Sequence, residues 1–187
     1  MTVVEYMLAI IAIVLGLAIG KVLDKFSTTL KGARWTEFNW FLSVWSVYLL
    51  ATILGYFWGF WRIYSGVNEI PYFEFLLLPF TTVTLIYLMA VFLPISTETK
   101  NAREKAEYFI SEKKPFFIAF FVLIMHLKFT AAYLGIERLM LESIAGWMLC
   151  FGSLLGLYLT QIHHHKGLLI FFVLVYLSAE ALGPAVS

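Results

Sequence analysis

Long apolar runs separated by short polar segments dominate the pattern of this chain. Six of the runs can cross roughly 30 Å of hydrocarbon, for which about 20 predominantly apolar residues suffice. They cover residues 3–22, 38–61, 72–94, 116–134, 143–162 and 167–183. The pattern therefore predicts an all-α integral membrane protein, in which residues 1–187 form one compact bundle of about six transmembrane helices.

Composition supports a bilayer rather than water as the solvent. Hydrophobic residues make up 61% of the chain and charged residues 13%, and the mean hydropathy is +0.87. Soluble domains usually contain about 45–50% apolar and about 25% charged residues. The single cysteine, Cys150, lies within an apolar run, which excludes an intrachain disulfide and a cysteine-based metal motif.

The basic residues fall unequally on the two sides of the predicted spans. Of the 13 Lys and Arg residues, ten lie in one set of alternate loops and two, Arg62 and Arg138, in the other. The ten are Lys21, Lys25, Lys31, Arg34, Lys100, Arg103, Lys105, Lys113, Lys114 and Lys166. Because cytoplasmic loops carry the excess of positive charge, we expect both termini on the outer side.

Residues 96–114 form the most hydrophilic segment and are predicted to be a cytoplasmic loop. The i,i+4 pairs Lys100–Glu104 and Arg103–Glu107 favour a short solvated helix there. Arg103 and Lys105 would then contact headgroups or recruit a cytosolic protein. An ordinary solvated face is the alternative.

A proline interrupts the third predicted span. Pro79 removes a backbone donor and is expected to break the helical ladder. Thr81, Thr82 and Thr84 follow, and their hydroxyls can bond to backbone groups near the break. The pattern predicts a kink, which serves either structure alone or a hinge.

Pairs of glycines recur at i,i+4 inside three of the spans. They are Gly16 with Gly20, Gly55 with Gly59, and Gly152 with Gly156. This spacing lets two helices approach closely in lipid. The pairs predict close packing within one chain or an interface between copies, and we expect a homo-oligomer.

Ionisable residues within the spans are the candidates for an ion or proton path, because charge at membrane depth is costly unless it is paired or hydrated. His126 and Lys128 lie in the fourth span and Glu180 in the sixth, with Glu5 near the outer end of the first. Lys128 and Glu180 have matching depths. Alternatively, Lys128 and Glu180 form an ion pair that fixes helix register, or their side chains extend towards the membrane surface.

Three consecutive histidines, His163, His164 and His165, precede the sixth span. Successive helical side chains point about 100° apart, so the triplet is a poor chelator and no metal site is expected. Histidines beside anionic headgroups can gain charge as the pH falls. We expect a surface or headgroup contact.

Function is less constrained than fold. We find no catalytic motif and expect no cofactor and no nucleic-acid partner. The leading hypothesis is a small homo-oligomeric channel or transporter for an ion or proton. The alternative is a membrane anchor or sensor subunit that recruits a cytosolic partner through its charged loops, and an undetected membrane enzyme remains a third class. The expected location is the bacterial cytoplasmic (inner) membrane.

Overall fold

A computed structural model describes the backbone of residues 3–30, 37–64, 69–96, 101–135 and 140–182, and most of the side chains within these ranges. The regular structure of these residues is helical. The elements are α1 (Val3–Leu30), α2 (Glu37–Tyr64), α3 (Tyr72–Phe75), a π-helical turn (Leu76–Phe80), α4 (Thr81–Phe92), α5 (Ala102–Tyr133), α6 (Met140–Tyr158) and α7 (Ile162–Leu182). The predicted all-α class is confirmed.

Within the described ranges, five helical stretches are long and apolar enough to cross a membrane. They are Glu5–Leu30, Asn39–Tyr64, Tyr72–Phe92, Arg103–Tyr133 and Ile162–Ala179. In α6 the apolar stretch is shorter, Ile144–Tyr158. Large apolar side chains are exposed along the bundle, including Ile13, Leu54, Phe151 and Leu174. A surface of this kind is stable against lipid tails rather than water.

The helices pack as two groups that share α5. On one side α1 contacts α2 and α4, and α4 contacts α5. On the other side α6 lies between α5 and α7. Because α2 also contacts α5 and α7, it closes the bundle across its centre.

Aromatic rings fill the centre where α2, α5 and α7 meet. Trp45 is fully buried there. Its ring packs edge-on against Phe116, Phe117 and Phe172, with centroid distances of 5.3, 6.0 and 5.7 Å. Edge-to-face pairs of this kind stabilise a core beyond the area that they bury.

The charged segment differs from its predicted form as a separate loop with a short helix. Helix α5 begins at Ala102 and continues through Pro115 to Tyr133, over 32 residues, or about 48 Å. The side chain of Asn101 accepts a hydrogen bond from the Glu104 N–H and caps the first turn. The charged residues from 102 to 114 are therefore a direct extension of the apolar helix.

Candidate functional site

The third apolar helix is broken at the predicted proline. Around Pro79 the backbone widens into the π turn Leu76–Phe80. The hydroxyls of Thr81, Thr82 and Thr84 donate to the carbonyls of Leu76, Leu78 and Phe80, at 2.8, 2.7 and 2.8 Å. The expected threonine contacts are therefore present, and they satisfy carbonyls on both sides of the break.

His126 on α5 contacts this broken turn. Its Nε2 lies 3.2 Å from the Leu78 carbonyl oxygen, the same oxygen that accepts from the Thr82 hydroxyl. A carbonyl only accepts hydrogen bonds, so Nε2 is the protonated nitrogen of the imidazole. The structure thus brings together the proline break and one of the candidate proton-path residues, which were identified separately in the sequence.

A cavity of about 210 Å³ adjoins the broken turn. It lies between the C-terminal half of α2, the π turn with the start of α4, and the C-terminal half of α5. Its walls include Gly59 and Phe60, Leu78 and Pro79, and Leu127 and Ala131. Among the described residues that line it there is no Asp, Glu, Lys, Arg or His, so this part of its surface is neutral and mainly apolar.

Two hydroxyl groups at this cavity are buried and have no hydrogen-bond partner among the described residues. They belong to Tyr64 and Thr130. The other tyrosine among the described lining residues, Tyr56, is hydrogen-bonded to the side chain of Thr82. Since the great majority of buried polar atoms have a partner, the two unpaired hydroxyls distinguish this region. Sequence reasoning missed both, although Thr130 lies one helical turn after His126 and so shares its face.

Lys128 lies away from His126. Two residues along a helix correspond to a rotation of about 200°, so Lys128 points towards α6 when His126 points towards the π turn. The Lys128 ammonium is 5.8 Å from the centre of the Trp147 ring, and its side chain passes over Gly146. The described part of the chain therefore does not unite these two candidates in one path.

The other two path candidates are only partly described. Glu180 belongs to α7, but its side chain lies outside the described residues, as does any pairing with Lys128. Glu5 is exposed in the first turn of α1. The roles of Glu180 and Glu5 stay predictions.

One end of the bundle, which we call the basic end, is tied together by Lys25, Lys105 and Lys113. Lys25 Nζ donates to the carbonyls of Val91 and Leu93 at the end of α4, at 2.5 and 2.7 Å. Lys113 Nζ donates to the Leu159 carbonyl just beyond α6. These cations satisfy carbonyls that have no partner within a helix and oppose the negative end of the helix dipole.

Lys105 was predicted to contact headgroups or a partner, and the structure corrects this expectation. Its side chain is buried, and Nζ donates to Asn39 Oδ1 on α2 at 3.1 Å. The cause is the helical spacing of Lys105, Phe109 and Lys113, which places all three on the face of α5 that packs inside the bundle. Arg103 is 89% exposed and forms the expected pair with Glu107 at 2.9 Å, and its contact with headgroups or a partner stays a prediction.

The histidine triplet is divided in the same way. His163 and His164 are exposed, as a headgroup contact requires, whereas His165 is fully buried and the expectation of a surface contact is wrong for it. Its Nε2 lies 3.0 Å from the Leu159 carbonyl, and its ring stacks on Phe117. The rotation of 100° per residue turns the third imidazole inwards.

The three glycine pairs have different surroundings. A Cβ at Gly152 or Gly156 would meet the rings of Phe172 or Phe117, at 2.5 and 2.4 Å. Gly55 lies against the Tyr176 hydroxyl and Gly59 faces the cavity. By contrast, Gly16 and Gly20 are exposed on α1, with nothing within 4 Å of an added Cβ. Close packing within the chain thus uses the pair on α6.

Metal-ligating side chains do not cluster in the part of the chain that the structure describes, where no group of three or more His, Cys, Asp or Glu residues comes together.

The chain was also compared with known proteins. No protein-family model, no curated protein and no solved structure matches it.

Proposed function

We propose that this protein is a membrane transporter with six spans, both termini outside, whose moving element is the break at Pro79. Six spans require α6 to cross as well as the five longer apolar stretches. The ten Lys and Arg residues on one side support the orientation, and the basic end would then be cytoplasmic. The bacterial cytoplasmic membrane is the proposed location.

The contact between His126 and the Leu78 carbonyl is the single observation that carries the proposal. Transporters commonly place their binding sites beside discontinuous helices, where backbone groups leave the regular ladder. Here the discontinuity lies beside both a histidine, His126, and a cavity, and Leu78 belongs to both contacts. A proton gained by the imidazole adds charge beside the break, and we propose that this change couples proton movement to opening of the cavity.

His126→Gln is expected to remove most of the proton flux. The glutamine amide can still donate to the Leu78 carbonyl but cannot carry a proton, so the variant separates proton transfer from local structure. Flux would be measured in proteoliposomes with an internal pH dye under an imposed potential. His164→Gln, on an exposed histidine, is the matched control.

Lys128→Met provides a second comparison, because it tests the path predicted from depth matching alone. The structure turns Lys128 towards α6, so this variant is expected to keep the flux. Equal flux in wild type and His126→Gln, or no flux in correctly folded wild type, would contradict the proposal.

The homo-oligomer is proposed to form through α1, where Gly16 and Gly20 are exposed. Replacing both glycines with leucine is expected to convert an oligomer into a 21.5 kDa single chain, because leucine prevents the close approach of helix backbones. Light scattering after size exclusion would measure the mass of the protein. A monomeric wild type, or an oligomer that survives both substitutions, would refute this interface.

A further inference from the structure

The chemistry of the cavity beside the π turn restricts what can occupy it. The described residues of its walls include no charged side chain, and a bare ion among them would lose its hydration without compensation. A substrate in this cavity is therefore neutral, even if a proton moves at His126 nearby.

The size of the cavity sets a second limit. An apolar cavity of about 150 Å³ in another protein binds benzene, and the cavity here has about 210 Å³. One aromatic or aliphatic ring with a few substituent atoms fits this space. A whole lipid does not, although the end of an acyl chain does, so volume alone leaves two kinds of occupant.

The two unpaired hydroxyls distinguish these occupants. Tyr64 is 5% exposed, and both its hydroxyl and that of Thr130 lack a partner among the described residues. A buried hydroxyl without a partner destabilises the protein that contains it. A ligand with its own hydroxyl or carbonyl can supply the missing hydrogen bond, whereas an acyl chain cannot.

We propose that this cavity binds a neutral, ring-sized apolar molecule that carries one hydroxyl or carbonyl group. The ring lies among Phe60, Leu78 and Leu127, and the polar group bonds to Tyr64 or Thr130. The inference rests on the proposed function and extends it, because it names the class of substrate that the transporter would take.

Two matched probes test the proposal: 4-fluorophenol and fluorobenzene, which differ by one hydroxyl. Each is added to the full-length protein in phosphatidylcholine nanodiscs, and its ¹⁹F resonance is compared with that in empty nanodiscs. We expect wild type to bind 4-fluorophenol roughly threefold to tenfold more tightly than fluorobenzene, as a net hydrogen bond would provide.

Gly59→Leu serves to fill the cavity. An added Cβ at Gly59 meets nothing within 4 Å, so the larger side chain can extend into the space, and binding of 4-fluorophenol is expected to disappear. Gly167→Leu is the control, since Gly167 is exposed on α7 and is equally open around its Cβ. Circular dichroism checks that both variants fold.

The double variant Tyr64→Phe, Thr130→Val removes the hydroxyls without filling the cavity, and it should bind the two probes equally. Equal binding of the two probes by wild type would overturn the proposal in favour of an acyl chain. The proposal would be overturned in the same way if neither probe bound to the protein more than to empty nanodiscs. Binding is measured without a gradient. Site-specific binding without proton flux would therefore refute the proposed transport and still support the ligand site.

Discussion

Trp45→Ala is expected to lower the free energy of unfolding by about 3–5 kcal/mol, the range for truncating a large buried aromatic residue. Trp45 is fully buried and its ring touches α5 and α7 as well as its own helix. Removing the ring leaves a void at the point where α2 closes the bundle.

The origin of this loss differs from that in a soluble protein. In a bilayer the separated helices remain in hydrocarbon, so burial of apolar area contributes little and packing contacts dominate. The ring contacts of Trp45 with Phe116, Phe117 and Phe172 are of this kind. The loss is therefore expected near the lower end of that range, about 3 kcal/mol, and it should persist when unfolding is measured in mixed micelles.

Helicity followed by circular dichroism during titration with sodium dodecyl sulfate would measure the effect. Trp58→Ala is the matched control, because Trp58 is 69% exposed and its loss is expected to change stability by only about 0.5 kcal/mol. Similar losses for the two variants would show that the aromatic centre does not stabilise the bundle.

The existence of the apolar helices and the break at Pro79 could be predicted from the sequence because both depend on local chemistry. A run of apolar residues can satisfy its backbone in lipid only as a helix, and proline always lacks the amide hydrogen. The threonines after Pro79 were identified for the same reason. Local rules of this kind need no knowledge of neighbouring helices.

The buried lysines could not be assigned in this way. Lys105 and Lys113 carry charge, and charge predicts exposure. Their burial depends on partners far away in sequence, the Asn39 side chain and the Leu159 carbonyl. The fourth span was likewise predicted to begin after Pro115, at residue 116, whereas the helix continues through this proline.

The candidate site was only partly accessible from sequence because depth along a helix was considered without rotation about its axis. His126 and Lys128 have nearly the same depth, yet they face the π turn and α6 respectively. Helical spacing shows that they point apart, but which of them faces a neighbouring proline break is fixed by packing. Tyr64 and Thr130 were missed because a single hydroxyl near the end of a predicted span carries no pattern.

Gly156→Ala tests the packing of α6 and is expected to destabilise the protein by about 1–3 kcal/mol, the usual range for overpacking. The new Cβ would lie 2.4 Å from a ring carbon of Phe117. That ring is fully buried and stacks on His165, so it has little room to move. The clash outweighs the gain of about 1 kcal/mol that alanine gives over glycine inside a helix.

Gly167→Ala is the matched control, because glycine is replaced by alanine in an apolar helix, α7, at an exposed position with open space around the Cβ. This variant is expected to be neutral or slightly stabilising in the same titration. Gly156→Ala combined with Phe117→Leu would identify the cause, since the smaller side chain relieves the contact. A coupling energy near zero in this double-mutant cycle would mean that the ring of Phe117 is not what requires glycine at position 156.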